Sequence, residues 1–400
     1  MIERYEYLDF LKKLRDKQII KVITGVRRCG KSTILEQYRN FLLKSGVKKE
    51  NIISINFEDV INKNLLDWET LHNYILENAK ENEMNYIFLD EIQMVDKFER
   101  CINSLLLKKY LDIYITGSNS YMLSGELATY LTGRYMELHV LPLSFKEYIS
   151  FYGETDKLEK YNNYREYGGF PYLIYLDGDK ELMRKYIDGV YNTIIMKDVI
   201  TRNKITDPLI LDSIVKFLFN NIGTYLSKKK ISDKLASNGR KNSVHTVEVY
   251  LNALLESFIL YRVGRYDIKG KQFLKTQEKY YLSDLGFRTY LIGKSYDNDL
   301  GHILENIVFL ELKRRGYQIY IGKSDDLEID FVVENHDNLK YIQVALSVID
   351  SATLERELKP LQSLSDHYPK YLITLDYNNN DYDGIKQINV IDFLLGKENI

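Results

Sequence analysis

Cysteine, proline and tryptophan are scarce in this 400-residue chain, at two, five and one. The two cysteines, Cys29 and Cys101, show no paired spacing that would suggest a disulfide framework or a zinc site. A reducing, cytoplasmic location is therefore expected. The histidines, His72, His139, His245, His302, His336 and His367, form no i,i+4 pair or Cys/His cluster, so no zinc site is expected either. An excess of charge is also missing, because 55 Lys and Arg stand against 57 Asp and Glu. Contact with nucleic acid would have to come from a local basic patch and not from a global field. No uncharged run approaches the ~20 residues that span a bilayer, and Met1 to Tyr7 lacks the basic-then-apolar pattern of a signal peptide. No membrane partner is expected. Scarce proline accompanies 34 tyrosines and abundant Lys, Asn and Ile, a bias of codon usage from which no function is read.

Residues 25–32, Gly25-Val26-Arg27-Arg28-Cys29-Gly30-Lys31-Ser32, satisfy the G-x-x-x-x-G-K-[ST] phosphate-loop pattern at every specified position. The context also suits the mechanism. Ile19 to Thr24 before the loop is strand-like, and Thr33 to Tyr38 after it opens an amphipathic helix. Gly25 and Gly30 let the backbone curl until its N–H groups converge on a phosphate, and the helix aims its positive end at the same anion. Gly25 through Thr33 form the expected nucleotide-binding segment. Lys31 would bridge the β- and γ-phosphates and Ser32 would hold Mg²⁺.

Further strands are expected at Asn51–Phe57, at Tyr86–Asp90, which runs into Glu91, and at Asp112–Thr116. The acidic strand end puts a hard oxygen ligand, Asp90, beside Ser32 as the second Mg²⁺ residue. Glu91 is placed to orient and polarise an attacking water. Gly117-Ser118-Asn119-Ser120 offers small polar groups at another strand end, where ligands of parallel sheets bind. Arg134, just before a last strand at Met136–Leu141, is a candidate for reaching a γ-phosphate in cis or from a neighbouring subunit. Cys29, a thiol among N–H dipoles and beside Lys31, has reason to react faster than ordinary cysteine, with burial in the packing as the preferred alternative.

These segments, with Leu141-Pro142-Leu143-Ser144-Phe145 and Gly168-Gly169-Phe170-Pro171, resemble the prokaryotic AAA-type ATPases that carry a C-terminal domain of unknown function. The resemblance spans nearly the whole chain. It implies an α/β fold with the phosphate-loop sheet in the additional-strand order, the Asp90 strand not adjacent to the loop strand, and ATP rather than GTP as ligand. It also implies Ser118 or Asn119 as a sensor and Arg134 as an arginine sensor or finger, the latter compatible with a homo-oligomer.

Residues 1–143 would form the ATPase domain and 144–207 a helical lid or connector. Three helices, near Ile210–Leu218, Ser227–Ala236 and from Ser243, precede two strands, Phe258–Tyr266 and Lys279–Leu282. That order reads as a winged helix over 208–295. Lys228, Lys229, Lys230, Arg240, Lys241, Lys269 and Lys271 are its candidate phosphate contacts on double-stranded DNA, with Asn242, Ser243 and Thr246 at the start of the reading helix.

Residues 296–400 alternate helix and strand, and Glu305, Asp330 and Gln343 resemble the site positions of the PD-(D/E)XK nuclease fold. That fold needs a carboxylate and a lysine two residues apart on one strand, where this chain has Gln343 and Ala345. A degenerate, inactive nuclease-like domain is expected. The function read from the whole is a Mg²⁺-dependent ATPase that couples nucleotide state to the winged-helix and C-terminal domains and acts with an unidentified protein partner. The alternatives are a nucleotide-gated interaction switch with little turnover, a phosphotransferase, and a DNA nuclease with an accessory ATPase.

Overall fold

The computed structural model describes residues 2–120, 133–176, 178–237, 239, 242–293, 299–335, 338–398 and 400. Arg240, Lys241, Leu131, Thr132 and His336 lie outside the described residues. The chain groups into two compact units, Met1–Leu141 with Glu256–Phe258, and Pro142–Leu255 with Ile259–Ile400.

The first unit is built on five strands: β1 (Ile20–Thr24), β2 (Ile52–Asn56), β3 (Asn85–Asp90), β4 (Leu111–Thr116) and β5 (Tyr135–His139). They lie in the order β2-β3-β4-β1-β5, and every pairing is parallel. β4 separates the Asp90 strand from the loop strand, which is the order the resemblance implies.

Helices cover both faces, so the central strands are buried from end to end. On one face Ile87, Leu89, Ile113 and Ile115 pack with Leu71 and Ile75 of α3 (Trp68–Asn78) and Ile102 and Leu105 of α4 (Phe98–Leu106). On the other, Phe88 and Tyr114 stack with ring centroids 4.9 Å apart beneath Tyr38 of α2 (Lys31–Lys44). The alternation of side chains along each strand therefore assigns one row to each helical layer. Because all five strands run the same way, their carboxyl ends gather at one edge. α1 (Tyr5–Lys13) packs beside α2.

In the second unit, helices at Phe145–Ser150, Lys157–Tyr167 and Lys180–Thr193 lead into Pro208–Asn220, Lys228–Ser237 and Val244–Glu256. β6 (Leu260–Asp267) and β7 (Gln272–Leu282) follow as an antiparallel pair. Two strands are thus present where they were expected, and they do more than form a hairpin. The end of β6, Arg265–Asp267, also pairs in parallel with β8 (Gln318–Ser324), which draws the hairpin into a larger sheet.

That sheet has eight strands in the order β12-β13-β11-β10-β9-β8-β6-β7, where β9 is Leu327–Asn335, β10 Asn338–Val344, β11 Lys370–Thr374, β12 Asp381–Tyr382 and β13 Ile385–Asn389. Helices at Leu300–Arg314 and Ser351–Gln362 pack on it.

The Gly168-Gly169-Phe170-Pro171 motif closes around one buried acid. Gly168 has φ +85°, and a Cβ there would lie 1.7 Å from Oδ1 of Asp284. The Gly169 N–H donates to Asp284 Oδ2 at 2.7 Å, and the Gly286 N–H donates to Oδ1 at 2.8 Å. Gly169 in turn accepts the Leu143 N–H at 2.7 Å. One carboxyl group therefore ties segments 115 residues apart. Burial nevertheless pushes Asp284 up from 3.8 to about 7, against the two N–H donors that favour its charge.

The folded-state value lies above the unfolded one. The stability from the protonated form is therefore complete below about pH 4 and is lost as pH rises through 7, a change of about 4 kcal/mol. Urea unfolding between pH 4 and 8 is expected to show this decline in the wild type and a flatter profile in Asp284→Asn. An unchanged slope in the variant would remove Asp284 as its source.

Candidate functional site

The phosphate loop leaves β1 at Gly25 and re-enters regular structure at Lys31, the first residue of α2. Gly25 has φ +142°, and a Cβ there would meet the Val140 carbonyl oxygen at 2.1 Å. Any larger residue would push the loop off the sheet. Arg28 and Gly30 also adopt positive φ, so the chain curls back on itself before the helix. No side chain caps α2, and its first turn carries no acid. An uncapped helix start beneath a curled loop is a site for an anion.

Lys31 is buried, and its Nζ donates to Gly25 O at 3.0 Å and Val26 O at 3.3 Å. It also lies 3.9 Å from Glu91 Oε1. Ser32 is exposed at the mouth of the site, where its hydroxyl bonds Asp90. Thr33 is half-buried behind it. Arg27 reaches Glu58 Oε1 at 2.9 Å, and Arg28 is exposed.

Asp90 ends β3 beside Thr116, which ends β4, because Leu89 and Ile115 are in register. The Thr116 hydroxyl donates to Asp90 Oδ1 at 2.5 Å and accepts the Glu91 N–H at 2.9 Å. Asn56, at the end of β2, donates to Asp90 Oδ2 at 3.3 Å. Glu91 itself sits at φ 57°, ψ 47°, a left-handed conformation that costs a non-glycine residue on the order of 1 kcal/mol. That turn sends its side chain to Lys31, to Gln93 Nε2 at 2.5 Å and to Ser118.

The two carboxyls respond differently. Burial raises Asp90 by more than the hydroxyls of Thr116 and Ser32 lower it. Burial also pushes Glu91 upward, yet Lys31, then Gln93, Arg27 and Ser118 outweigh it and hold Glu91 below its ordinary value. A charged Glu91 beside a less acidic Asp90 is the result. Ser32 and Asp90 together offer hard oxygen donors at the loop's mouth, the kind of set that Mg²⁺ takes when phosphate and water oxygens complete its shell.

Ser118 and Asn119 are buried just beyond β4 at the same sheet edge. Thr116, Gln93 and Asn56 join the site without a sequence signal of their own beyond their places at or just after strand ends. Arg134 does not join it. It precedes β5, level with Ile20 at the start of β1, and its carbonyl accepts the Ile20 N–H at 3.0 Å. Its guanidinium donates to Asn103 Oδ1 at 2.7 Å. With about 3.3 Å per strand residue, Arg134 lies roughly 17 Å back along β5 from the loop edge. A role in cis is thereby corrected. Cys29 is fully buried, in line with the packing alternative, and burial raises its thiol above the usual range despite Lys31 and Arg4.

A second charged cluster occupies the other unit. Glu305, on the helix Leu300–Arg314, accepts from Lys279 Nζ at 2.9 Å and from Tyr281 OH at 2.6 Å. Lys279 also lies 2.6 Å from Glu328 and 3.9 Å from Asp330. Gln343 Oε1 accepts the Asp330 N–H at 3.3 Å, and its Nε2 donates to Glu357 at 3.0 Å. Glu305, Asp330 and Gln343 are therefore brought together, along with an ammonium group from β7 that position 345 does not supply. Burial, then Glu305, raises Asp330 well above its ordinary value. Burial would raise Glu305 as well, but Lys279 and its hydrogen-bond donors hold it down.

Of the candidate DNA lysines, Lys228 is paired with Glu248 and Lys269 with Asp325. Lys230 Nζ donates to the Tyr225 carbonyl at 3.2 Å, while Lys229 and Lys271 are exposed. Ser243 caps the third helix through the Thr246 N–H at 3.0 Å. Asn242 is turned inward onto Ser232. Among the described residues, no helix is long and apolar enough to cross a membrane.

A family model described as an AAA domain matches residues 17–149, and a model for a domain of unknown function (DUF8612) matches 158–298. An uncharacterized protein of Haemophilus influenzae is 40% identical over 403 residues, covering 99% of each chain. An uncharacterized protein of Methanocaldococcus jannaschii is 32% identical over 393 residues, covering 93% of this chain and 85% of its own. Among solved structures, the Walker-type ATPase PABY2304 of Pyrococcus abyssi superposes with a TM-score of 0.51 at 16% identity, over 73% of this chain and 96% of that one. At that identity the likeness is one of fold.

Proposed function

This chain belongs to one family with those two proteins and carries an AAA-type ATPase domain, and on that footing we propose that it binds ATP with Mg²⁺ and hydrolyses it. The observation that carries the reading is the meeting of Lys31, Ser32, Asp90, Glu91 and Thr116 at the carboxyl ends of β1, β3 and β4. The loop N–H groups and the start of α2 receive the phosphates, and Lys31 exchanges its carbonyl partners for their oxygens. Ser32 and Asp90 would hold Mg²⁺, which when bound would supply positive charge near the phosphate oxygens. Glu91, kept charged by Lys31, accepts a hydrogen bond from the attacking water and orients it. Ser118 and Asn119 sense the γ-phosphate from the neighbouring strand end, and Arg134 acts only if a second copy of the chain presents it.

The helix order and the β6–β7 pair support a winged-helix reading of residues 208–295, with an isolated bridge between Leu226 and Glu278 as its short extra strand. With Lys228 and Lys269 engaged by acids, DNA contact falls to Lys229, Lys230 and Lys271, beside Arg240 and Lys241 outside the described residues. One observation favours a nuclease as the second reading: Lys279 brings to Glu305 and Asp330 the positive charge that Ala345 lacks.

Steady-state ATP hydrolysis tests the main reading. Lys31→Ala is expected to lose nucleotide binding, whereas Glu91→Gln should bind ATP and turn it over roughly 100-fold more slowly. Equal turnover in both variants and the wild type would remove the site assignment. A DNA titration serves the other two readings. Phosphate contacts by Z lysines predict log affinity falling with log salt at a slope of about −0.9Z, and a flat response ends the DNA reading. Cleavage on adding Mg²⁺, abolished by Asp330→Ala, is required for the nuclease.

A further inference from the structure

Arg4 stands immediately before α1, and its side chain is one of the largest that the fold buries completely. A guanidinium cannot shed its charge on burial, so its place is set by the acceptors around it. Its Nη1 donates to the Cys29 carbonyl and to the Leu141 carbonyl, both at 3.0 Å. The guanidinium lies over the Tyr7 ring, 4.5 Å from its centroid. Tyr7 OH accepts the Leu141 N–H at 3.2 Å, and Gln37 of α2 donates to the Ile2 carbonyl at 2.7 Å. The segment before α1 is thus pinned between the phosphate loop, α2 and the chain just beyond β5.

The Cys29 carbonyl belongs to the peptide unit that carries the Gly30 N–H. In a planar trans peptide the two point in opposite directions. Fixing the oxygen toward Arg4 therefore aims the N–H away from it, toward the open side of the loop. Gly30 is left-handed at φ 104°, a conformation in which a glycine peptide turns readily unless something holds it.

We propose that Arg4 is a positioning residue for the phosphate loop, clamping the Cys29–Gly30 peptide so that its N–H stays aimed at a bound phosphate, with a buried positive charge behind it. The proposal rests on the ATP-site reading. The clamp acts alike on substrate and transition state, so its loss raises KM and leaves kcat almost unchanged.

The test compares ATP and ADP affinity, KM, kcat and nucleotide-free thermal unfolding in wild type, Arg4→Met and Arg4→Lys. Arg4→Met is expected to weaken both nucleotides about tenfold at near-constant kcat, since it removes charged hydrogen bonds behind the loop. Arg4→Lys keeps the charge without the planar fork and should fall about threefold. It carries the test if Arg4→Met does not fold. Wild-type affinity in a folded Arg4→Met, or in Arg4→Lys where the former fails to fold, would overturn the proposal and leave Arg4 a packing residue, even with lowered thermal stability. Wild-type protein that binds neither nucleotide would instead overturn the ATP-site reading on which the proposal stands.

Discussion

A single hydroxyl organises the acidic half of the site. Thr116 Oγ1 donates to the Asp90 carboxylate and accepts the Glu91 N–H, so it joins the ends of two neighbouring strands and fixes two consecutive carboxyl residues at once. Without that acceptor, the left-handed turn at Glu91 would lose a bond that offsets its strain. The turn matters because adjacent residues on an extended strand point to opposite faces. Breaking the strand at Glu91 lets Asp90 face Ser32 while Glu91 faces Lys31.

The same economy appears wherever this nearly neutral chain buries charge. Lys21 meets Asp112 inside the first sheet, Lys31 meets Glu91 at its edge, and Lys279 meets Glu305 in the second unit. Buried pairs of this kind add little net stability over an apolar replacement, yet removing one partner costs about 3–5 kcal/mol. Their effect is to fix positions. At the loop, Lys31 holds Glu91 below its ordinary value and close by, and under the proposed reading each exchanges the other for a phosphate or a water.

The strand order came only from the family resemblance, whereas the phosphate loop, its helix and the acidic strand end were legible because each rests on residues adjacent in sequence. Thr116 was not, since it is an ordinary strand terminus until register sets it beside Asp90. Lys279 and Glu305 lie 26 residues apart on a strand and a helix, and no spacing rule joins them. Asp284 has no local signal either, although Gly168 and Gly169 announced that something approaches closely. Arg134 stands just before the last strand of the first unit, as expected, but the parallel pairing of β5 with β1 that sets it at the edge opposite the loop is carried by no local residue. The pairing of β6 with β8 was not legible either, because a hairpin looks complete in sequence and the two strands lie more than fifty residues apart.

Calorimetric titration of the purified chain with ATP, in Mg²⁺ and again in EDTA, tests the central claim most directly. Saturable binding with one site per chain, tighter in Mg²⁺ and weakened by Asp90→Asn only when Mg²⁺ is present, is the predicted result. No saturable binding in Mg²⁺, or binding that Lys31→Ala leaves intact, would contradict it.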